Sequence, residues 1–509
     1  MDNLSSPSMS MAGWFLVAAY VAVVLIFVVR GARSTKSIAD YAVGSILFSP
    51  VAVGLSLAAS MTSAATFIIN PGFIALYGLS GVLSYAFVMP VAAMISLTIL
   101  TKGFRKHGHI VKALTMSQWI GSRYGSPSYS LFFAFLSLLL VTFIVLICVG
   151  LTYVLAKTLN VNQLYVLIGI VVFIFGYMMY GGANSMVYTN TIQALIMIVV
   201  AFILLGSGYE HFKNGIDVFL GELKTIDPNL VKWTNPKSYL FRDYFEIVFC
   251  QIVVGVAIVC QPHIITKSLL LKNEKDVNRY LITAVVIQML FFLVVIAGLY
   301  ARLTFPDLTV NGVAMKMDGI IPAYVVAQFP VYVGLLVVLG LISAGISTLE
   351  GLIQALSTTI TSDIIKPLFG KYFFNDEEKD KFKLVAVNKV VIIVLGVASI
   401  FISYEQIVHP NLSVGIFAQN GVYAFFAAAF VPILFGTFME VVPKAVPVSA
   451  SITAVIVHFS VYYGEITWYM QVPVKNPAIA AALAIVASLC VGFITLLFLR
   501  QRTAPISQK

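Results

Sequence analysis

Ser343-Ala344-Gly345-Ile346-Ser347-Thr348 stands in the middle of a long apolar run. Ala344 and Thr348 are four apart, so on a helix the Ala344 carbonyl and the Thr348 hydroxyl share a face, with Ser347 beside them. Neutral oxygens grouped in this way suit a hard cation such as sodium, which wants a shell of oxygens and needs no counter-charge fixed in lipid. The same hydroxyls could equally bond their own helix backbone. Glu350 lies three residues beyond Ser347 on nearly the same side. An ionisable residue at that depth marks a candidate functional site, serving ion coupling, a proton, or a buried amide. A second stretch, Ala58-Ala59-Ser60-Met61-Thr62-Ser63-Ala64-Ala65-Thr66, is small and hydroxylated, and Asn70-Pro71-Gly72 after it is expected to end or bend the helix. Cys260-Gln261-Pro262-His263 interrupts a further apolar run near its inner end.

The elements that position these residues are membrane helices. The chain is 60% hydrophobic and 10% charged, with mean hydropathy +0.97, whereas a soluble domain is about half apolar and a quarter charged. Apolar runs long enough to span recur from Met11 to Leu499. The first of them, Met11 to Val29, reads as a retained helix rather than a cleaved signal. Cys148, Cys250, Cys260 and Cys490 all fall inside apolar runs, which argues against a disulfide framework or a zinc site. The net charge of +10 does not imply nucleic acid, because Lys and Arg gather at the ends of apolar runs without interleaved aromatics.

Thirteen spans are expected. With the N-terminus outside, most basic residues fall on the cytoplasmic side, among them Arg30, Arg33, Lys36, Lys267, Lys272, Lys275 and Arg279. The C-terminus is then cytoplasmic. Non-helical backbone at membrane depth survives only where it lines a cavity or faces protein. The two interrupted runs each open a set of five, the pattern of inverted-repeat transporters in which freed carbonyls bind the coupling ion. Pro and small residues also kink and pack helices without any site, and that reading stays open.

Three stretches together resemble the sodium:solute symporter family, from the second span to the eleventh: Ala59-Ser60-Met61-Thr62-Ser63-Ala64 with Pro71-Gly72, Gly181-Gly182 followed by Thr189-Asn190-Thr191-Ile192-Gln193, and Ser343 to Thr348. Pro262-His263 with Lys267, and Pro306-Asp307-Leu308-Thr309-Val310, are similar to the branch that includes pantothenate and acetate or monocarboxylate permeases. The resemblance implies an all-α membrane protein of thirteen helices in a 5+5 inverted repeat. One transporter domain would cover 1–509: a first helix and loop (1–47), two five-helix repeats (48–207 and 243–437) and two accessory helices (446–499). It implies a sodium site made by Ala59 and Thr62 through carbonyls and by Ala344, Ser347 and Thr348. Many members have an aspartate where this chain has Asn190, so Asn190, Gln193 and Glu350 are the candidates for ion coupling, and a second sodium site is in question. Ser63, Thr66, Gln261, Gln419 and Asn420 are implied to surround the solute, Gln419 matching a glutamine that contacts solute in sugar-carrying members.

Sugar carriers also place an acid just after a tyrosine in the third span, where Tyr85 here is followed by Ala86. The expected solute is therefore a small monocarboxylate such as pantothenate, acetate or pyruvate, carried with sodium across the inner membrane. A proline-like amino acid or a sugar is the alternative, and a solute sensor or a channel the alternative of another class. No Gly-rich phosphate loop, HExxH pair or Ser/His/Asp set points to an enzyme. The implied partners are solute, sodium and lipid, with no nucleic acid, for a monomer or loose oligomer.

Overall fold

The computed structural model describes residues 7–310, 312–373, 377–409 and 414–503. Among these, ten helices are long and apolar enough to cross a bilayer, and two helix pairs qualify together but bend at a short break. In chain order they are α1 (Ser10–Ala32), the pair α2 (Pro50–Met61) and α3 (Ala65–Tyr77), α4 (Leu79–Ile110), α5 (Pro127–Leu159), α6 (Gln163–Gly206), the pair α7 (Phe245–Ile258) and α8 (Pro262–Leu270), α9 (Glu274–Thr304), α10 (Val331–Gly370), α11 (Phe382–Val408), α12 (Val414–Phe438), α13 (Ala445–Tyr463) and α14 (Pro477–Leu499). Local chemistry sets the starts: Ser49 caps α2, accepting from the Ala52 N–H at 3.2 Å with Pro50 in the first turn, and Ser126 with Pro127 does the same for α5.

At its centre α6 packs along α10, α1 and α2, while α9 lies along α2. The apolar window of α10 is 72% buried and that of α12 83%, against 22% for α1, so α10 and α12 are interior and α1 is peripheral. Helices α12, α13 and α14 pack on one another. Outside the long helices, the amphipathic segment Ile216–Ile226 buries Phe219 and Leu223. Asp227 ends it, and the Asn229 backbone N–H together with the Lys237 ammonium holds the Asp227 carboxyl below its ordinary range. A two-stranded antiparallel ladder, β1 (Thr309–Val310) with β2 (Val313–Ala314), is the one sheet among the described residues.

As a straight rod the 44 residues of α6 would reach about 66 Å, roughly twice the hydrocarbon core of a bilayer. The rod is broken at Gly182, whose φ of 60° and ψ of −158° lie in a region that only glycine occupies readily. A Cβ there would also stand 2.6 Å from the Tyr41 ring and 2.9 Å from its backbone. Gly182→Ala is expected to lower the melting temperature of the purified protein in detergent, at a cost of about 1–3 kcal/mol. An unchanged melting curve would show that the break does not depend on glycine.

The two bent pairs turn by 58° (α2 to α3) and 57° (α7 to α8). In the first, Thr62 leaves the helical region at φ −101° and ψ 98°. The bend thus falls at 62–64, and the expectation that Asn70-Pro71-Gly72 bends the helix is corrected. A wide turn over Ala65–Ile69, closed by the Asn70 N–H onto the Ala65 carbonyl, makes room for the Pro71 ring, and the helix continues to Tyr77. In the second pair Gln261 is extended, the conformation proline favours in the residue before it, and Pro262 then starts α8.

Candidate ion site and buried polar cluster

Where α2 ends, its last carbonyls run out of regular helical partners, the Thr62 N–H being shared between those of Ala58 and Ala59, and they carry the negative end of the helix dipole. Two hydroxyls of α10 meet them. Ser347 Oγ lies 2.8 Å from the Ala59 carbonyl and 3.1 Å from that of Ala344, and Thr348 Oγ1 lies 3.0 Å from the Ser60 carbonyl and 3.3 Å from that of Ala344. All of these residues are buried. Thr62 stands at the break, its N–H on the Ala58 and Ala59 carbonyls and its hydroxyl 3.1 Å from Gln288 Oε1 of α9. The structure thus brings Ala59, Ala344, Ser347 and Thr348 to one point, with Thr62 beside them. The hydroxyls donate to the carbonyls here, and a rotation about each Cβ–O bond would turn their lone pairs toward a cation. The oxygens at this point are backbone carbonyls and hydroxyls, hence neutral ones.

Immediately beside it, Glu350 is 0% and Lys267 3% exposed. Lys267 is the residue that sequence reasoning misplaced. Counted with the cytoplasmic lysines, it is in fact enclosed by protein, because the break at Gln261 turns α8 back against α2. Its Nζ donates to the Ser56 hydroxyl at 2.8 Å and the Ser56 carbonyl at 3.0 Å. Glu350 accepts from the Thr189 hydroxyl at 2.7 Å and from the Tyr177 hydroxyl. Asn190 bridges the two charges. Its nitrogen faces Glu350 Oε2 at 2.8 Å and Gln193 Oε1 at 2.9 Å, and its oxygen faces Ser60 Oγ at 2.9 Å and Lys267 Nζ at 3.0 Å. The reverse orientation would set oxygen against carboxylate and amide hydrogens against ammonium, so the neighbours decide it. Gln193 also donates to the Tyr20 hydroxyl at 2.7 Å, tying α1 to the cluster.

The solute candidates divide. Ser63 accepts from the Ala65 N–H at 3.1 Å, within the break, and Thr66 is buried in the wide turn that follows. Gln261 donates to the Ile258 carbonyl at 2.9 Å, while its Oε1 and the Nδ1 of His263 are buried without a hydrogen-bond partner. The Gln419 side chain stands beside the Tyr85 hydroxyl. Asn420, next to Gln419 in the helix, has both ends of its amide on α13, at 2.9 Å to His458 Nε2 and 3.0 Å to the Tyr463 hydroxyl. It packs α12 against α13.

Two sharply broken helices, with carbonyls freed at one break and met by hydroxyls of an interior helix, are the construction of ion-coupled secondary transporters. The chain belongs to the sodium:solute symporter family, whose family model matches residues 41–452. It is 26% identical over 443 residues to the sodium/pantothenate symporter of Escherichia coli (strain K12), covering 83% of this chain and 85% of that one. To the sodium/pantothenate symporter of Haemophilus influenzae it is 27% identical over 399 residues, 76% and 77% of the two chains. A solved structure of a Na+-coupled sialic acid symporter, substrate-bound and outward-open, superposes with a TM-score of 0.75 at 17% identity, over 96% of this chain and 98% of that one, which establishes a common fold. The protein is thus a multi-pass membrane transporter with sodium and a small solute as its partners.

Proposed function

We propose that the chain imports a small monocarboxylate with sodium by alternating access in the inner membrane, its N-terminus outside and its C-terminus cytoplasmic. The meeting of the Ala59 and Ser60 carbonyls with the Ser347 and Thr348 hydroxyls carries this reading, since it concentrates neutral oxygens at a broken helix. We count α6 as two crossings divided at Gly182 and each bent pair as one, which makes thirteen, arranged as inverted repeats over 48–207 and 243–437. Sodium is carried cargo, bound by Ala59, Thr62, Ala344, Ser347 and Thr348.

For the solute, Ser63, Thr66, Gln261 and Gln419 are the proposed contacts. The buried Nδ1 of His263 offers a donor to a carboxylate, and the Gln261 Oε1 an acceptor to a hydroxyl or amide of the same molecule. Ala86, beside Tyr85, supplies no acid to hold a sugar. The names of the two pantothenate carriers favour the same solute class.

In proteoliposomes, uptake should require external sodium and carry net charge inward. Each sodium brings about 2.3 kcal/mol per 100 mV and about 1.4 kcal/mol per tenfold gradient. Equal uptake in potassium with no proton gradient would overturn symport. Unlabelled acetate, pyruvate and pantothenate should displace sodium-dependent binding, and Gln419→Ala should weaken that displacement. Displacement by glucose, galactose or proline but by none of the acids would replace the monocarboxylate and leave the symporter standing.

A further inference from the structure

We propose that the Lys267 ammonium is a resident cation, occupying a second cation position beside the sodium site, so that each cycle carries one sodium rather than two. The inference rests on the sodium-symport reading above. Its basis is the shell around Nζ: the Ser56 hydroxyl at 2.8 Å, the Ser56 carbonyl at 3.0 Å and the Asn190 amide oxygen at 3.0 Å. These three oxygens use all three ammonium hydrogens. A hydroxyl, a carbonyl and an amide oxygen are also the kinds of ligand a sodium ion takes. The counter-charge is Glu350, one amide further on, 2.8 Å from the nitrogen of Asn190.

The position is joined to the proposed sodium site through a single residue. The Ser60 carbonyl accepts from Thr348, and the Ser60 hydroxyl lies 2.9 Å from the Asn190 oxygen that also receives Lys267. Four elements meet there: α2 through Ser56, α6 through Asn190, α8 through Lys267 and α10 through Glu350. A buried carboxylate that stays ionised through a transport cycle needs a positive partner at every stage. A sodium ion would supply that charge only while bound. A lysine can supply it throughout, because it is tethered to α8 and cannot leave with the solute. The charge of Glu350 is therefore balanced by the chain itself, and the net charge moved is that of the single sodium at the Ser347 and Thr348 site.

The test is equilibrium binding of radiolabelled sodium to the purified full-length protein without solute. The wild type should bind one sodium per chain with a Hill coefficient of about 1. Lys267→Ala removes the ammonium but leaves its oxygens and Glu350, and should bind two. Lys267→Met combined with Glu350→Gln removes both charges together and should return to one. Two sodium ions in the wild type, or one in folded Lys267→Ala, would overturn the resident-cation proposal while leaving symport intact. The wild-type count decides even if Lys267→Ala fails to fold. Absence of saturable sodium binding in the wild type, together with sodium-independent uptake, would instead sink the symport reading, and this inference with it.

Discussion

Ser347→Ala and Thr348→Ala should each raise the sodium concentration for half-maximal uptake by about 10- to 100-fold, the equivalent of the roughly 1.5–3 kcal/mol that a bond to a charged group contributes. Each substitution deletes one oxygen that lies within 3.0 Å of an α2 carbonyl, Thr348→Ala a buried methyl group as well, and neither adds bulk to a closely packed helix. The fold should tolerate the loss better than the ion does. Each hydroxyl sits at or near hydrogen-bonding distance of the Ala344 carbonyl as well as of an α2 carbonyl, and a neutral hydrogen bond contributes only about 1 kcal/mol net. A sodium titration of uptake, run beside a melting curve for each variant, separates the two effects. Unchanged half-saturation in both variants would remove this site from the transport cycle. A fall in melting temperature that tracks the loss of uptake would reduce the hydroxyls to packing.

A second large effect is expected on stability. Glu350→Leu leaves Lys267 enclosed with its oxygens but without the carboxylate on the far side of Asn190, and leaving a buried charge uncompensated costs about 3–5 kcal/mol. It also strands the Thr189 and Tyr177 hydroxyls, which Glu350 now accepts from. Glu350→Gln with Lys267→Met should recover most of the loss, since an amide can still serve Thr189 and the uncharged thioether needs no partner. Melting temperatures of the single and double variants measure the coupling. Equal losses in Glu350→Leu and in the double variant would mean that the two charges do not stabilise each other across Asn190.

The grouping of Ala344, Ser347 and Thr348 was legible because its geometry is local. A four-residue spacing puts Ala344 and Thr348 on one face whatever surrounds the helix, and the small, hydroxylated run around Ala59 marks a helix that need not stay continuous. The position of the bend was read some eight residues too far along. Proline is a strong local signal, but the wide turn over Ala65–Ile69 absorbs Pro71, and nothing in the residue types announces that turn. The contacts of Asn420 with His458 and Tyr463 were not legible, because a residue about 100° of helix away from Gln419 meets a different neighbour, and which neighbour that is depends on the packing of α13. Lys267 was missed for a different reason. It sits close to Lys272, Lys275 and Arg279, which look like an ordinary cytoplasmic fringe, and its partners Ser56, Asn190 and Glu350 lie on three other elements. Contacts between distant segments leave no periodic trace in one chain. The sign available was its place in the apolar stretch directly after Pro262, within reach of the break.

The enclosure of Lys267 also constrains how the protein is made. Individually, a lysine and a glutamate entering a bilayer on separate helices each carry a penalty of about 2.5–3.5 kcal/mol at insertion. Helix α8, on which Lys267 rides, is short and bent, so the ammonium can wait at the lipid headgroups while the ribosome works. Its balancing carboxylate, Glu350, emerges about 80 residues later, a delay of roughly 4–16 s at typical rates of synthesis. Until α10 is threaded, Ser56 and Asn190 can receive the ammonium but nothing balances its charge, and the half-built bundle is open along α2. Assembly of the core is thus gated by the arrival of α10, and a nascent chain arrested before that point should be more exposed to membrane proteases than one arrested just after it.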